Sequence, residues 1–307
     1  MKRAHVWVMW TGSAVFALSV LVTAASEFAG VGWADSSGVP SPLWTVWIPT
    51  AVGIPLIWLL TPDRGPAALD KQVRQTLGGH PVSRELSYLM LCLAGFLVGA
   101  VLLGNIFAIF HDDGVLNLGT PVSRVAFLLI IPVLMVDRAG LTLSRVRGSM
   151  PRLAIGVREP WRWSGLVAVT VVLGIVLLYA WEDVVRSGPA FSLVLLLVLL
   201  VVTVPEEIFF RGMVQTRLEG MLGRGAGIVL ASLMFAFVYA TLGSYVDLLR
   251  LGVQSVGGDY LLAVATYGVA GLLYGYLWSH YRNIWLNVGL RAGTIALVLG
   301  PSLALAG

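Results

Sequence analysis

Charge is what this sequence has least of. Of its 307 residues only 12% are Asp, Glu, Lys or Arg, about half the ~25% usual in a soluble domain. With 58% hydrophobic residues, a chain of this length has too few polar groups to cover itself against water, and a lipid solvent removes that requirement. Cysteine is nearly absent. Cys92 stands by itself inside an apolar run, which excludes an internal disulfide and a cysteine-based metal site. The four histidines, His5, His80, His111 and His280, have no ligand spacing such as H-E-x-x-H, so neither metal nor other cofactor is expected. The net charge of +4 does not point to nucleic acid either, because the basic residues fall between apolar runs, as topology signals do.

What is present is a series of long apolar segments: 6–25, 43–61, 86–110, 122–137, 164–181, 189–205, 225–243, 260–279 and 283–306. Most approach the length that crosses a hydrocarbon core of about 30 Å at about 1.5 Å per residue. The expectation is an all-α, polytopic transmembrane bundle of about eight or nine spans. The 122–137 segment is the least regular, since it follows Pro121 and contains Pro132. The first segment is longer than the apolar region of a signal peptide and reads as a retained helix. Residues 1–150 form N-terminal helices with a basic loop, and 151–307 form a core bundle.

Lys and Arg fall unevenly between these segments. Sixteen lie on one side, and only Arg124, Arg186 and Arg250 on the other, with Arg291 inside a span. The positive-inside rule then puts the N-terminus in the cytoplasm and the C-terminus outside, in a bacterial plasma membrane. The outer stretches carry Glu27, Asp35, Asp112 and Asp113. The loop 138–163 reads as a solvated positive loop, although its end from Arg158 to Trp163 also suits anionic headgroups. Gly95/Gly99 and Gly271/Gly275 are spaced four apart, as close helix packing requires.

The chemically informative stretch is Pro205-Glu206-Glu207-Ile208-Phe209-Phe210-Arg211-Gly212, after a nearly pure Leu/Val run. A carboxylate beside hydrocarbon costs several kcal/mol unless paired, hydrated or protonated. Glu207 and Arg211 share a helix face and form a natural ion pair, whereas Glu206 points about 100° away and is expected to be free for other work. Taken by itself, the stretch fits an ordinary ion pair at a helix end as well as a site.

Glu206-Glu207-x-x-x-Arg211 resembles the first motif of the CPBP (Abi/CAAX protease) family of intramembrane proteases. The following helix, Ile228 to Leu242, resembles the second motif helix. Gly271 to Leu277 with Asn283 to Leu286 resembles the approach to the third, so the likeness covers roughly residues 150–300. The resemblance implies an endopeptidase in which the glutamates activate water and histidines hold the oxyanion. The chain departs from it at both histidines: Tyr239 stands at the second motif and Arg291 at the third, with Ile295 in place of the amide or acid. His280 is nearest, in the short loop before the last helix.

These departures set the functional expectation. Arginine stays protonated and cannot shuttle a proton, and tyrosine is a poor base. What survives of a catalytic set is Glu206, Glu207 and Tyr239, the last as an oxyanion donor. Arg291 is expected to pair with Glu206 or Glu207, with Arg211 and Asn287 joining a structural network. The reading is a degenerate protease-like protein that binds membrane lipid and a membrane-embedded or lipidated protein or peptide. An active endopeptidase using the glutamate pair, and a transporter or channel subunit, remain alternatives.

Overall fold

The computed structural model describes residues 2–29, 41–62, 65–110, 119–137, 154–187, 196, 199, 202–242 and 260–305. Expectations for Asp35, Arg64, His111, Asp112, Asp113, Arg138, Arg145, Arg147, Arg152 and Arg250, and for most of the 189–205 segment, fall outside them.

Apolar sequence in a lipid solvent must satisfy every backbone group within its own segment, and helices do so. The described residues are helical, with no strands among them. In chain order the helices are α1 (Lys2–Phe28), α2 (Leu43–Leu60), α3 (Gly65–Leu77), α4 (Val82–Phe110), α5 (Gly119–Val136), α6 (Gly165–Ser187), α7 (202–222), α8 (Arg224–Leu242), α9 (Tyr260–Tyr281) and α10 (Ile284–Leu305). Seven segments, all but α3, α7 and α10, are long and apolar enough to cross a membrane, and α10 carries a shorter apolar run. The protein is therefore a polytopic helical bundle.

Burial identifies its centre. In α8, 67% of the most apolar window is buried inside the protein, against 22% in α1, so α8 is a core helix and α1 a peripheral one facing lipid. Glycines allow the central helices to approach. A Cβ on Gly271 would sit 3.1 Å from the Ser232 side chain, and one on Gly275 would sit 2.9 Å from Gln215 Oε1. Gly95 and Gly99 face the Phe127 ring in the same way. Pro132, which has no N–H to donate, is absorbed by π-helical turns on either side of it, Ala126–Ile130 and Val133–Asp137. The segment that looked least regular is thus a continuous helix.

Exposed tryptophans mark both ends of the bundle. Trp7, Trp10, Trp58, Trp163 and Trp285 lie at one end, while Trp44 and Trp181 lie at the other, where Trp44 stacks on Tyr179. Trp163 and Trp181 are separated by roughly 27 Å of helix rise, close to one hydrocarbon thickness.

The short helix α3, which hydropathy does not reveal, lies across the first of these ends. It buries Gly65, Leu69 and Val73, four residues apart, and Gly65 packs on the Trp161 ring while Leu77 reaches Gly220 of α7. Beneath it, Asp70 pairs with Arg224 at 2.9 Å and Arg282 at 3.7 Å. Arg282 follows α9 in the left-handed region at φ 46°, a conformation that costs a side-chain-bearing residue energy. Its guanidinium is held there by Glu219, by the Thr216 hydroxyl at 3.3 Å and by the face of Trp278. The tight reversal between α7 and α8 uses Gly223 at φ 88°, where only glycine is unstrained. The stretch 212–224 packs Thr216, Arg217 and Leu218 into the interior. Arg217 donates to Glu85 of α4 at 2.7 Å.

Candidate functional site

The Leu/Val run leading into α7 gives its first turns no polar neighbours of their own, so Glu206 and Glu207 must find partners on other helices. Immediately after them the helix widens into π-helical turns over Ile208–Gln215. Three further helices bring side chains to the pair: Arg124 from α5, Tyr239 from α8, and Asn287 and Arg291 from α10, while the Tyr274 carbonyl of α9 accepts from Asn287 Nδ2. Arg211 comes from α7 itself. None of Glu206, Glu207, Arg211, Arg124, Tyr239, Asn287 and Arg291 is more than 3% exposed.

Arg291 enters between the two carboxylates. Its Nη1 donates to Glu207 Oε1 at 2.9 Å, and its Nη2 donates to Glu206 Oε2 and to the Tyr239 hydroxyl, the latter at 2.7 Å. Tyr239 in turn donates to Glu206 Oε2 at 2.7 Å. Glu207 Oε2 accepts from Asn287 Nδ2 at 3.2 Å and faces Arg211 Nε at 3.6 Å. Glu206 Oε1 lies 2.5 Å from Arg124 Nε. Aromatic rings close the space around the cations: Arg291 and Arg211 lie over Phe235 at 4.6 Å and 5.5 Å, and Arg124 over Phe96 at 5.7 Å. In such a water-excluded setting these ion pairs are stronger than in water, and an unpaired member is correspondingly costly.

Three sequence expectations need correcting. Glu206 is not free for other work; it is bound by two arginines and a tyrosine. The 100° divergence of adjacent helical residues does not separate the glutamates, because the forked guanidinium of Arg291 is wide enough to take one carboxylate at each prong. Arg124 is not a topology charge outside the bundle. It is buried inside α5, and an arginine within the 122–137 segment carried the same warning as Arg291, a cation in an apolar helix that needs a partner. His280 also sits differently, inside α9, with its Nδ1 2.8 Å from the Tyr276 carbonyl oxygen and its ring against Tyr276.

A polar ladder leaves the cluster along one face of α7. Arg211 donates to Gln215 at 3.2 Å, and Gln215 donates to Glu219 at 2.7 Å and to the Gly275 carbonyl at 2.8 Å. Ser279 and Arg282 complete the ring around Glu219. Among the described residues no group of His, Cys, Asp and Glu has the arrangement of a metal site.

Beside the cluster, but containing none of its residues, is a groove of about 490 Å³ between α4, α8 and α9. Its lining is apolar, with Met90, Leu93, Met234, Phe237, Tyr260 and Val264 among the walls and Ala236 and Ala240 bordering it. Tyr239 stacks on Tyr267, ring centroids 4.5 Å apart.

Residues 188–296 match the family described as "Type II CAAX prenyl endopeptidase Rce1-like". The match spans α7 to most of α10 and so includes every residue of the cluster except Arg124. No curated protein and no solved structure is significantly similar to the chain.

Proposed function

Taking the Rce1-like segment as premise, we propose that this CAAX-protease-like membrane protein is a degenerate protease: it retains the helical scaffold, does not hydrolyse peptides, and binds a membrane-embedded or lipidated partner. The observation that carries the proposal is the enclosure of the glutamates by cations and donors, with Glu206 Oε1 meeting Arg124 Nε as an ion pair without hydrogen-bond geometry. A general base must present a lone pair to water within hydrogen-bond reach. Here all four carboxylate oxygens face donors fixed by the fold: Arg124 at Glu206 Oε1, Arg291 and Tyr239 at Glu206 Oε2, Arg291 at Glu207 Oε1, and Asn287 with Arg211 at Glu207 Oε2. Arginine at 291 supplies no proton acceptor, and the Tyr239 hydroxyl is spent on Glu206.

Lipidated-partner binding rests on the apolar groove. Its volume falls within the range of small-ligand sites, and its walls offer a hydrocarbon chain flexible methionines and an aromatic rim. The N-terminus is read as cytoplasmic because the exposed described cations gather at the end where α1 begins.

The test uses purified protein in detergent with a prenylated CAAX peptide and its unprenylated counterpart. The expected result is retention of the prenylated peptide without cleavage. Cleavage by the wild type that disappears in Glu206→Gln would establish an active endopeptidase and overturn the proposal. Equal retention of both peptides would remove the lipidated partner.

A further inference from the structure

At the end of the bundle crossed by α3, the described acids and bases divide unequally between inside and outside. Four carboxylates with described side chains lie there, and each is spent on an arginine: Asp70 on Arg224, Glu85 on Arg217, Glu159 on Arg162 and Glu219 on Arg282. Three of those arginines, Arg162, Arg217 and Arg282, are buried. What that end presents outward is therefore predominantly positive, since the partly exposed Asp70 and Glu159 are each paired with an arginine. Lys71 and Arg74 on α3, Arg84 at the start of α4 and Arg158 ahead of α6 are all exposed, and none has an ion-pair partner among the described residues. At the opposite end the described exposed charges lean acidic, since Arg186 pairs with both Glu182 and Asp183.

The setting of these four cations identifies what they face. α3 is held against the bundle by its apolar stripe and turns Lys71 and Arg74 outward. Arg158 lies three residues before Trp161, on which the first residue of α3 packs. The exposed indoles of Trp7, Trp10, Trp58, Trp163 and Trp285 belong to the same end, and tryptophan in that position sits at the headgroup level of a bilayer. Basic residues at that depth meet lipid phosphates before they meet a soluble partner, and their attraction is additive within a Debye length.

We propose that this end is a binding surface for anionic phospholipid headgroups, with Lys71, Arg74, Arg84 and Arg158 as the phosphate contacts and α3 as the strap that presents them. The pairing of Asp70, Glu85, Glu159 and Glu219 with arginines is what leaves the unpaired charge of this surface positive among the described residues. The surface is separate from the glutamate cluster and independent of whether the cluster is catalytic.

The experiment reconstitutes the full chain in nanodiscs of phosphatidylcholine mixed with phosphatidylglycerol and counts retained lipid by native mass spectrometry after extraction. The wild type is expected to retain phosphatidylglycerol preferentially, each Gln substitution among the four to lower that enrichment by up to about fivefold, and K71Q/R74Q/R84Q/R158Q to abolish it. E182Q/D183Q at the opposite end should leave it unchanged. Because none of the four cations joins an internal ion pair, the quadruple variant should keep the wild-type unfolding midpoint in pure phosphatidylcholine. If that variant nevertheless fails to fold, the wild type still tests the idea, since high salt must erode the enrichment. Equal retention of both lipids by the wild type, salt-independent retention, or undiminished enrichment in the quadruple variant would each overturn the proposal. So would equal stabilisation by inorganic phosphate in detergent, which would reassign the surface to free phosphate.

Discussion

Arg291 carries a charge that hydrocarbon rejects, and it stays in α10 because Glu206, Glu207 and Tyr239 meet it there. Removing one side of a buried pair leaves the other charge uncompensated, at about 3–5 kcal/mol. Arg291→Ala should therefore lower the unfolding midpoint in detergent sharply. The double variant Arg291→Ala/Glu207→Gln should lose less than the sum of its two single changes, because the neutral amide no longer needs the cation; additive losses would show that the pair is not coupled. Arg124→Met should destabilise by a comparable route through Glu206, although the sequence motif around the glutamates does not include it. Tyr239→Phe is the milder case. It removes a donor from Glu206 and an acceptor from Arg291 while keeping the ring stacked on Tyr267, and a loss of about 1–3 kcal/mol is expected from the same unfolding measurement.

At the scale of elements, glycine determines how near α9 comes to its neighbours. Gly275 lies against Gln215 and Ile228, and the Gly275 carbonyl accepts from Gln215. Gly275→Val would push α9 from α7 and α8 and break the ladder between the glutamate cluster and Glu219. We expect destabilisation of about 1–3 kcal/mol from overpacking, together with earlier proteolytic nicking near Gly223. Gly174, by contrast, has no heavy atom within 4 Å of where a Cβ would stand. Gly174→Ala in the middle of α6 should raise the midpoint slightly, by roughly 0.5–1 kcal/mol. A result in which both changes act alike would mean that helix propensity, not approach distance, governs these positions.

The whole molecule offers a reporter of its own. Cys92 is buried in the main apolar cluster, so a maleimide should label it only on unfolding, and its labelling rate should follow the stability series above. In a Cys92→Ala background, single cysteines at Arg158 and Asp183, which lie at opposite ends, should be reached by an impermeant maleimide from opposite faces of sealed vesicles. Labelling of both from one face would contradict a spanning arrangement of α6.

The sequence by itself determined the solvent, the helical class and the location of the costly charges. These follow from composition and from local runs of apolar residues, which act within one segment at a time. Glu206, Glu207, Arg211, Asn287 and Arg291 were legible as one constellation because motif spacing and the expense of intramembrane charge both mark them. Arg124 was read as a topology charge because counting cannot distinguish a solvated arginine from a paired one. α3 escaped notice because a short amphipathic helix has the composition of a loop. Only the tertiary structure decided that both Glu206 oxygens face arginines, that Arg291 bridges both glutamates, and that four acids pair with arginines and leave one end predominantly positive. Those outcomes depend on which helices lie side by side, and a pairing between α5, α7, α8 and α10 has no signature in any one of them.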